Sequence, residues 1–224
     1  MDNENANDIG TDENRPDTDD KVSGTEVNEP GLEVNETARN YNIPSGRYTY
    51  ADYASWDDGI RYELIDGIAY MMSAPITVHQ RLIGKLFRQL ADFLDDKPCE
   101  VFISPYDVCL HGLGDRDDTV VQPDILVVCD ESKIDDKRCN GAPDLIIEIL
   151  SPSSINHDRF IKLNKYLKAG VREYWIVDPE INDVTVHVLE KSKYVLSTYN
   201  KSNIIPVKVL EGCNIELSKI FNLM

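Results

Sequence analysis

The run Leu145-Ile146-Ile147-Glu148-Ile149-Leu150 restricts the fold more than any other stretch of this chain. Its aliphatic residues leave no polar face, the pattern of a strand covered on both sides. Such a strand needs a layer above it and a layer below it, which points to an α/β core. Glu148 interrupts the run. An ionised carboxylate placed there is costly unless it is neutralised, paired or bound to a cation. A second acid, Asp124, follows Pro123 and opens the apolar run 125–129. Two acids from adjacent strands, meeting near one end of a sheet, make an oxygen-rich site for a hard cation such as Mg2+ or Mn2+. A cation held there activates water and stabilises charge on a phosphoryl group. A structural ion pair is the competing reading of Glu148. Strand alternation places Asp144 on the same face as Glu148. It is read first as a polar residue opening the strand after Pro143, with a third-ligand role as the alternative.

The surrounding periodicities supply the remaining elements. Asp66-Gly67 separates Tyr62–Ile65 from residues 68–72 and favours a tight hairpin. Leu82, Ile83, Leu86, Phe87, Leu90, Phe93 and Leu94 have helical spacing, predicting a helix from Thr77 to about Leu94. Residues 100–110 and 120–129 each read as one strand, joined by the polar loop 111–119. A second helix is expected over 158–169, stopped by Gly170, with Phe160, Leu163, Leu167 and Val171 as its buried stripe. A buried strand at 173–177 and a hairpin of 184–189 with 194–199 follow. The expected class is α/β, a mixed central sheet flanked by helices with N- and C-terminal β-hairpins.

Charge divides the chain. The net charge is −17, and residues 1–40 hold twelve acids against three basic residues, so this segment carries more than half of it. It has no aromatic residue and few large aliphatics, too little to offset its ordering entropy. We therefore expect an acidic disordered tail at 1–45, a folded domain at 46–200, and a C-terminal extension at 201–224 packing on that domain. The acidity weighs against casual nucleic-acid binding, although bound cations would offset part of it. No stretch approaches the ~20 apolar residues of a membrane span, and the first residues lack the basic start and apolar core of a signal peptide. The expectation is a cytoplasmic protein. The five cysteines show no metal-like spacing and read as reduced thiols.

Taken together, several segments resemble the PD-(D/E)XK nuclease superfamily, and more closely the Uma2 family of restriction-endonuclease-like proteins. They are Tyr62-Glu63-Leu64-Ile65-Asp66-Gly67, His79 at the start of a helix, Gln122-Pro123-Asp124-Ile125, residues 143–153 around Glu148, and residues 170–179. The resemblance covers about two-thirds of the chain. It implies a restriction-endonuclease-like fold and a metal-dependent endodeoxyribonuclease using Mg2+ or Mn2+, with DNA as substrate and a homodimer as the working form. It nominates Asp124 and Glu148 as catalytic acids and metal ligands. The superfamily lysine expected two residues after Glu148 is replaced by Leu150. The pattern Asp158-Arg159-x-x-Lys162-x-x-x-Tyr166 in the following helix nominates Lys162 in its place. Helical periodicity alone does not choose between Lys162 and Lys168. The resemblance also places Glu63 near the site as a further acid, where a cross-strand ion pair is the plainer role. His79 becomes a phosphate contact or proton carrier, with helix capping as its plainer role. The alternative function is a nuclease-like domain that has lost catalysis and acts in binding or assembly.

Overall fold

The computed structural model describes residues 46–151 and 157–222. The acidic tail expected at 1–45 and most of the loop after Ser151 lie outside the described residues. After a short helix α1 (Tyr50–Tyr53), strands β1 (Tyr62–Ile65) and β2 (Ile68–Met71) pair in register Ile65↔Ile68. Asp66 and Gly67 turn between them at φ 52° and 76°, as a type I′ hairpin requires. A Cβ on Gly67 would lie 3.1 Å from the Tyr48 backbone nitrogen. Gly67→Ala is therefore expected to cost about 1–3 kcal/mol in chemical denaturation, from strain and contact combined. An unchanged midpoint would refute that account.

Helix α2 (Thr77–Leu94) has the bounds its spacing predicts and buries Leu82, Ile83, Leu86, Leu90 and Leu94. The two long strands expected next are each two strands. Residues 100–110 split into β3 (Glu100–Ile103) and β4 (Asp107–Cys109), and residues 120–129 into β5 (Val120–Val121) and β6 (Ile125–Val128). Pro105 and Pro123 lie at the breaks, where a residue without an N–H cannot continue a ladder. At the breaks the chain passes from one sheet to the other, and Ser104 N donates to the Asp124 carbonyl at 3.2 Å where the two crossings meet.

The chain continues through β7 (Arg138–Asn140), β8 (Leu145–Ile149), a π-helical turn (His157–Lys162), α3 (Leu163–Ala169), β9 (Glu173–Asp178), β10 (Asp183–Glu190) and β11 (Lys193–Asn200). It ends in β12 (Ile204–Pro206), β13 (Asn214–Glu216) and α4 (Leu217–Phe221). One sheet has the order β11-β10-β9-β8-β6-β3, the other β2-β1-β5-β4-β7. Both are mixed: β8 runs parallel to β9, and β4 to β7. Leu145, Ile147 and Ile149 of β8 pack with α2 and with Ile205, Ile215 and Leu217 of the C-terminal elements. Ile146 and Leu150 point the other way, into a cluster shared with Val108 and Val121 of the second sheet and Tyr166 of α3. Glu148 shares that second face by strand alternation.

Two expectations are corrected. Cys99 and Cys129 form a disulfide, with Cα atoms 4.0 Å apart. They flank the Glu100↔Val128 pair of β3 and β6, so antiparallel register sets them opposite one another. Cys109, Cys139 and Cys213 are free and buried. The stripe assigned to the helix at 158–169 is also out of phase: Phe160 is 64% exposed, while Asp158, Lys162 and Tyr166 are buried. The segment opens as a π-helix, whose i→i+5 bonding turns the chain less per residue than the α spacing assumed.

Candidate active site

The two proline breaks put Asp124 between the sheets, beside the C-terminal end of β8. Its Oδ2 accepts the Ile149 N–H at 2.7 Å and pairs with His79 Nε2 at 3.0 Å. His79 reaches it from the first turn of α2. Glu63 comes from β1 and Glu148 from β8, and Lys162 enters from the end of the π-helical turn. These residues, with Asp158, line one cleft of about 600 Å3. All five residues nominated from the sequence thus lie together.

Lys162 is the centre of the cluster. Its Nζ lies 2.9 Å from Glu63 Oε1, 2.9 Å from Glu148 Oε1 and 3.5 Å from Asp158 Oδ1, with the side chain only 5% exposed. Burial alone would discharge the amine, but the three carboxylates outweigh it and raise its pKa. Tyr166 donates its hydroxyl to the same Glu148 oxygen at 2.8 Å. Glu63 Oε1 also accepts the Gln122 N–H at 2.8 Å.

The carboxylates outnumber the cations. Burial pushes the Glu148 carboxyl well above its usual range, Lys162 opposes that, and Asp158, Asp124 and Glu63 add to it. For His79, burial lowers the imidazole pKa, but its bond to Asp124 and that residue's charge raise it overall. His79 Nδ1 is buried without a hydrogen-bond partner among the described residues. Among the described residues, Asp124 Oδ1 and Glu148 Oε2 have no protein partner, because every contact of these two carboxylates uses the other oxygen. Surplus negative charge with two oxygens still available is a donor set suited to a hard divalent cation.

Asp144 does not join this centre. Its carboxylate takes the Cys129 N–H and the Arg172 guanidinium, each at 2.8 Å, a structural role at the start of β8. A compact triple of metal-capable groups does occur elsewhere, at His111, Asp117 and Asp118. Asp117 there is committed to backbone N–H groups of His111, Leu113 and Thr119. Asp158 and Tyr166 enter the sequence reading only as parts of the pattern that nominates Lys162, Gln122 only as part of the segment before Asp124, and Arg61 not at all. The first two could have been found as the i, i+4, i+8 companions of Lys162.

An acid at the mouth of one strand, a second within its neighbour and a lysine from the following helix make a carboxylate–lysine centre on a restriction-endonuclease-like fold. The chain belongs to the Uma2 family, whose model, described as "Putative restriction endonuclease", matches residues 50–218. It is 23% identical over 175 residues to the uncharacterized protein slr1290 of Synechocystis sp., a match covering 76% of this chain and 90% of that protein. Its fold is similar to the crystal structure of a "putative nuclease belonging to DUF820" from Anabaena variabilis, with TM-score 0.62 and 18% identity. That match covers 77% of this chain and 97% of the other.

Proposed function

We propose that the protein is a metal-dependent endodeoxyribonuclease that hydrolyses phosphodiester bonds with water as the nucleophile. The observation that carries this reading is the Lys162 amine held between Glu63 and Glu148, with Asp124 in the same cleft. Asp124 and Glu148 would hold Mg2+ or Mn2+ through their free oxygens. The cation would supply Lewis-acid stabilisation of phosphoryl charge and acidify water in the site.

The protein's own groups divide the remaining work. A lysine whose pKa is raised stays protonated at neutral pH. It therefore acts as a hydrogen-bond donor to the oxygen that gains charge in the transition state, and not as the base. Glu63 and Glu148 orient that amine, and Tyr166 holds Glu148 in turn. Asp124 is fixed by the Ile149 N–H, so the acid reaches the cleft without spending a rotamer search. His79, hydrogen-bonded to Asp124, is placed to carry a proton or contact a phosphate. A homodimer would supply the two centres that cutting both strands of a duplex requires. Among the described residues no helix is long and apolar enough to cross a membrane.

The test is cleavage of plasmid and single-stranded DNA by the wild type and by Glu148→Gln, with Mg2+ or Mn2+ and with EDTA. Cation-dependent cleavage by the wild type, lowered at least ~100-fold in Glu148→Gln, is expected. Robust cleavage by Glu148→Gln would overturn the site. The net charge of −17 favours one other reading, a binding or assembly domain without catalysis. That reading predicts no cleavage by either protein.

A further inference from the structure

Among the described residues, the cleft contains one cation that the catalytic centre leaves unused. Arg61 precedes β1 by one residue and lines the same cleft as the acids. Strand alternation puts it on the face of Glu63, one ~7 Å strand repeat away. The cleft's other basic groups are committed: Lys162 faces three carboxylates, and His79 is paired with Asp124. Arg61 is held differently. Its Nε and Nη2 both donate to the neutral Gln122 Oε1, at 3.1 and 2.7 Å, and it forms no ion pair among the described residues.

The Gln122 amide is itself fixed from behind. Its Nε2 donates to Asp107 Oδ1 at 2.8 Å and to the Tyr53 hydroxyl at 2.9 Å. These bonds fix the orientation of the amide, so that its carbonyl oxygen faces Arg61. Burial raises the Asp107 carboxyl, and its hydrogen bonds from Gln122 and Tyr53 offset part of that. Against burial, the Asp107 carboxyl is lowered first by these two hydrogen bonds and then by the charges of Arg138 and Arg61, and the Gln122 amide bonds to both Arg61 and Asp107. Gln122 grips one edge of the guanidinium, and among the described residues Nη1 has no hydrogen-bond partner. A cleft-lining guanidinium oriented by a neutral acceptor, with a second edge still available, suits bidentate recognition of a phosphate.

We propose that Arg61 is a phosphate anchor, holding a backbone phosphate of the nucleic acid beside the carboxylate–lysine centre. This inference rests on the nuclease reading for the identity of the ligand, but not on catalysis. It also meets the difficulty that an acidic protein poses for binding a polyanion: the favourable contact is local, at a cation that forms no direct ion pair with a carboxylate among the described residues.

The experiment is equilibrium binding of a short fluorescein-labelled DNA duplex by full-length wild type, Arg61→Gln and Arg61→Lys. It is done in EDTA so that no cleavage intervenes, over a series of salt concentrations, with thermal melts to show that each variant folds. Arg61→Gln is expected to bind about tenfold more weakly, with the slope of log K against log salt reduced by about 0.9, the contribution of one phosphate. Arg61→Lys keeps the charge and is expected to restore the slope. A merely structural role for Arg61 would lower the melting temperature and leave the slope alone. An unchanged slope in a folded Arg61→Gln overturns the proposal, even if the wild type cleaves DNA. Absence of DNA binding by the wild type overturns it as well. The expected slope change in a protein that never cleaves supports Arg61 as the anchor and removes the catalytic reading.

Discussion

Lys162→Met should abolish DNA cleavage and yield a protein whose stability falls as pH rises. The amine sits within 2.9 Å of two carboxylates and 3.5 Å of a third, almost out of contact with water. Methionine fills much of its volume but leaves Glu63, Glu148 and Asp158 facing one another without the amine's positive charge. Breaking a buried ion pair by deleting one partner costs about 3–5 kcal/mol. The sign with pH follows from Glu148, whose carboxyl is already raised in the folded protein and rises further without the amine. In the unfolded chain it titrates in the ordinary carboxylate range. Above that range the folded variant holds protons that the unfolded chain has released, so its stability declines as pH increases. Below that range the penalty disappears. Denaturation of the metal-free variant should show a midpoint nearer to wild type at pH 5 than at pH 8. Equal deficits at both pH values, or wild-type cleavage, would remove Lys162 from the centre.

The second large effect is on cation binding. Mg2+ or Mn2+ at about 100 times its dissociation constant should stabilise the fold by ~2.7 kcal/mol, a rise of roughly 5–10 °C in melting temperature for a domain of this size. Asp124→Asn should lose that rise while still folding, because the asparagine carbonyl can accept the Ile149 N–H as Asp124 Oδ2 does. Glu148→Gln should behave likewise. Asp118→Asn serves as the control, since His111, Asp117 and Asp118 bring their ligand atoms within 4.8 Å of one another outside the cleft. If Asp118→Asn removes the rise and Asp124→Asn keeps it, the cation belongs to the outer loop and not to the cleft.

Much of this architecture is legible in the sequence, for reasons that differ from element to element. Helix α2 is readable because its apolar residues face one core, and the β1–β2 turn because Asp-Gly favours positive φ at both positions. The sheet crossings are not readable from hydrophobicity, since both halves of 100–110 and of 120–129 are apolar. Their only local sign is a proline within each strand-like run. The helix after the β8 loop fails for another reason. Periodicity seeks an apolar stripe, whereas the face that is buried carries Asp158, Lys162 and Tyr166, of which the Lys162 amine offsets the charge of Glu148 and Glu63 in the cleft. The placement of Gln122 and Arg61 depends on register between distant strands, as does the Cys99–Cys129 pair, and local sequence does not encode it.

The junction at Gln122-Pro123-Asp124 carries a consequence for how such chains can change in length. The backbone nitrogen of Gln122 holds Glu63, and the carboxylate of Asp124, two residues on, holds the Ile149 N–H. The segment works as a ruler spanning the two sheets. Inserting or deleting one residue within it would exchange the two faces of β6 or withdraw Asp124 from β8. At the turn between β10 and β11, on the margin of the larger sheet, an extra residue would displace none of the cleft's side chains. Insertions and deletions among relatives should therefore gather at that outer turn and be absent between Gln122 and Asp124, even where the residues themselves differ.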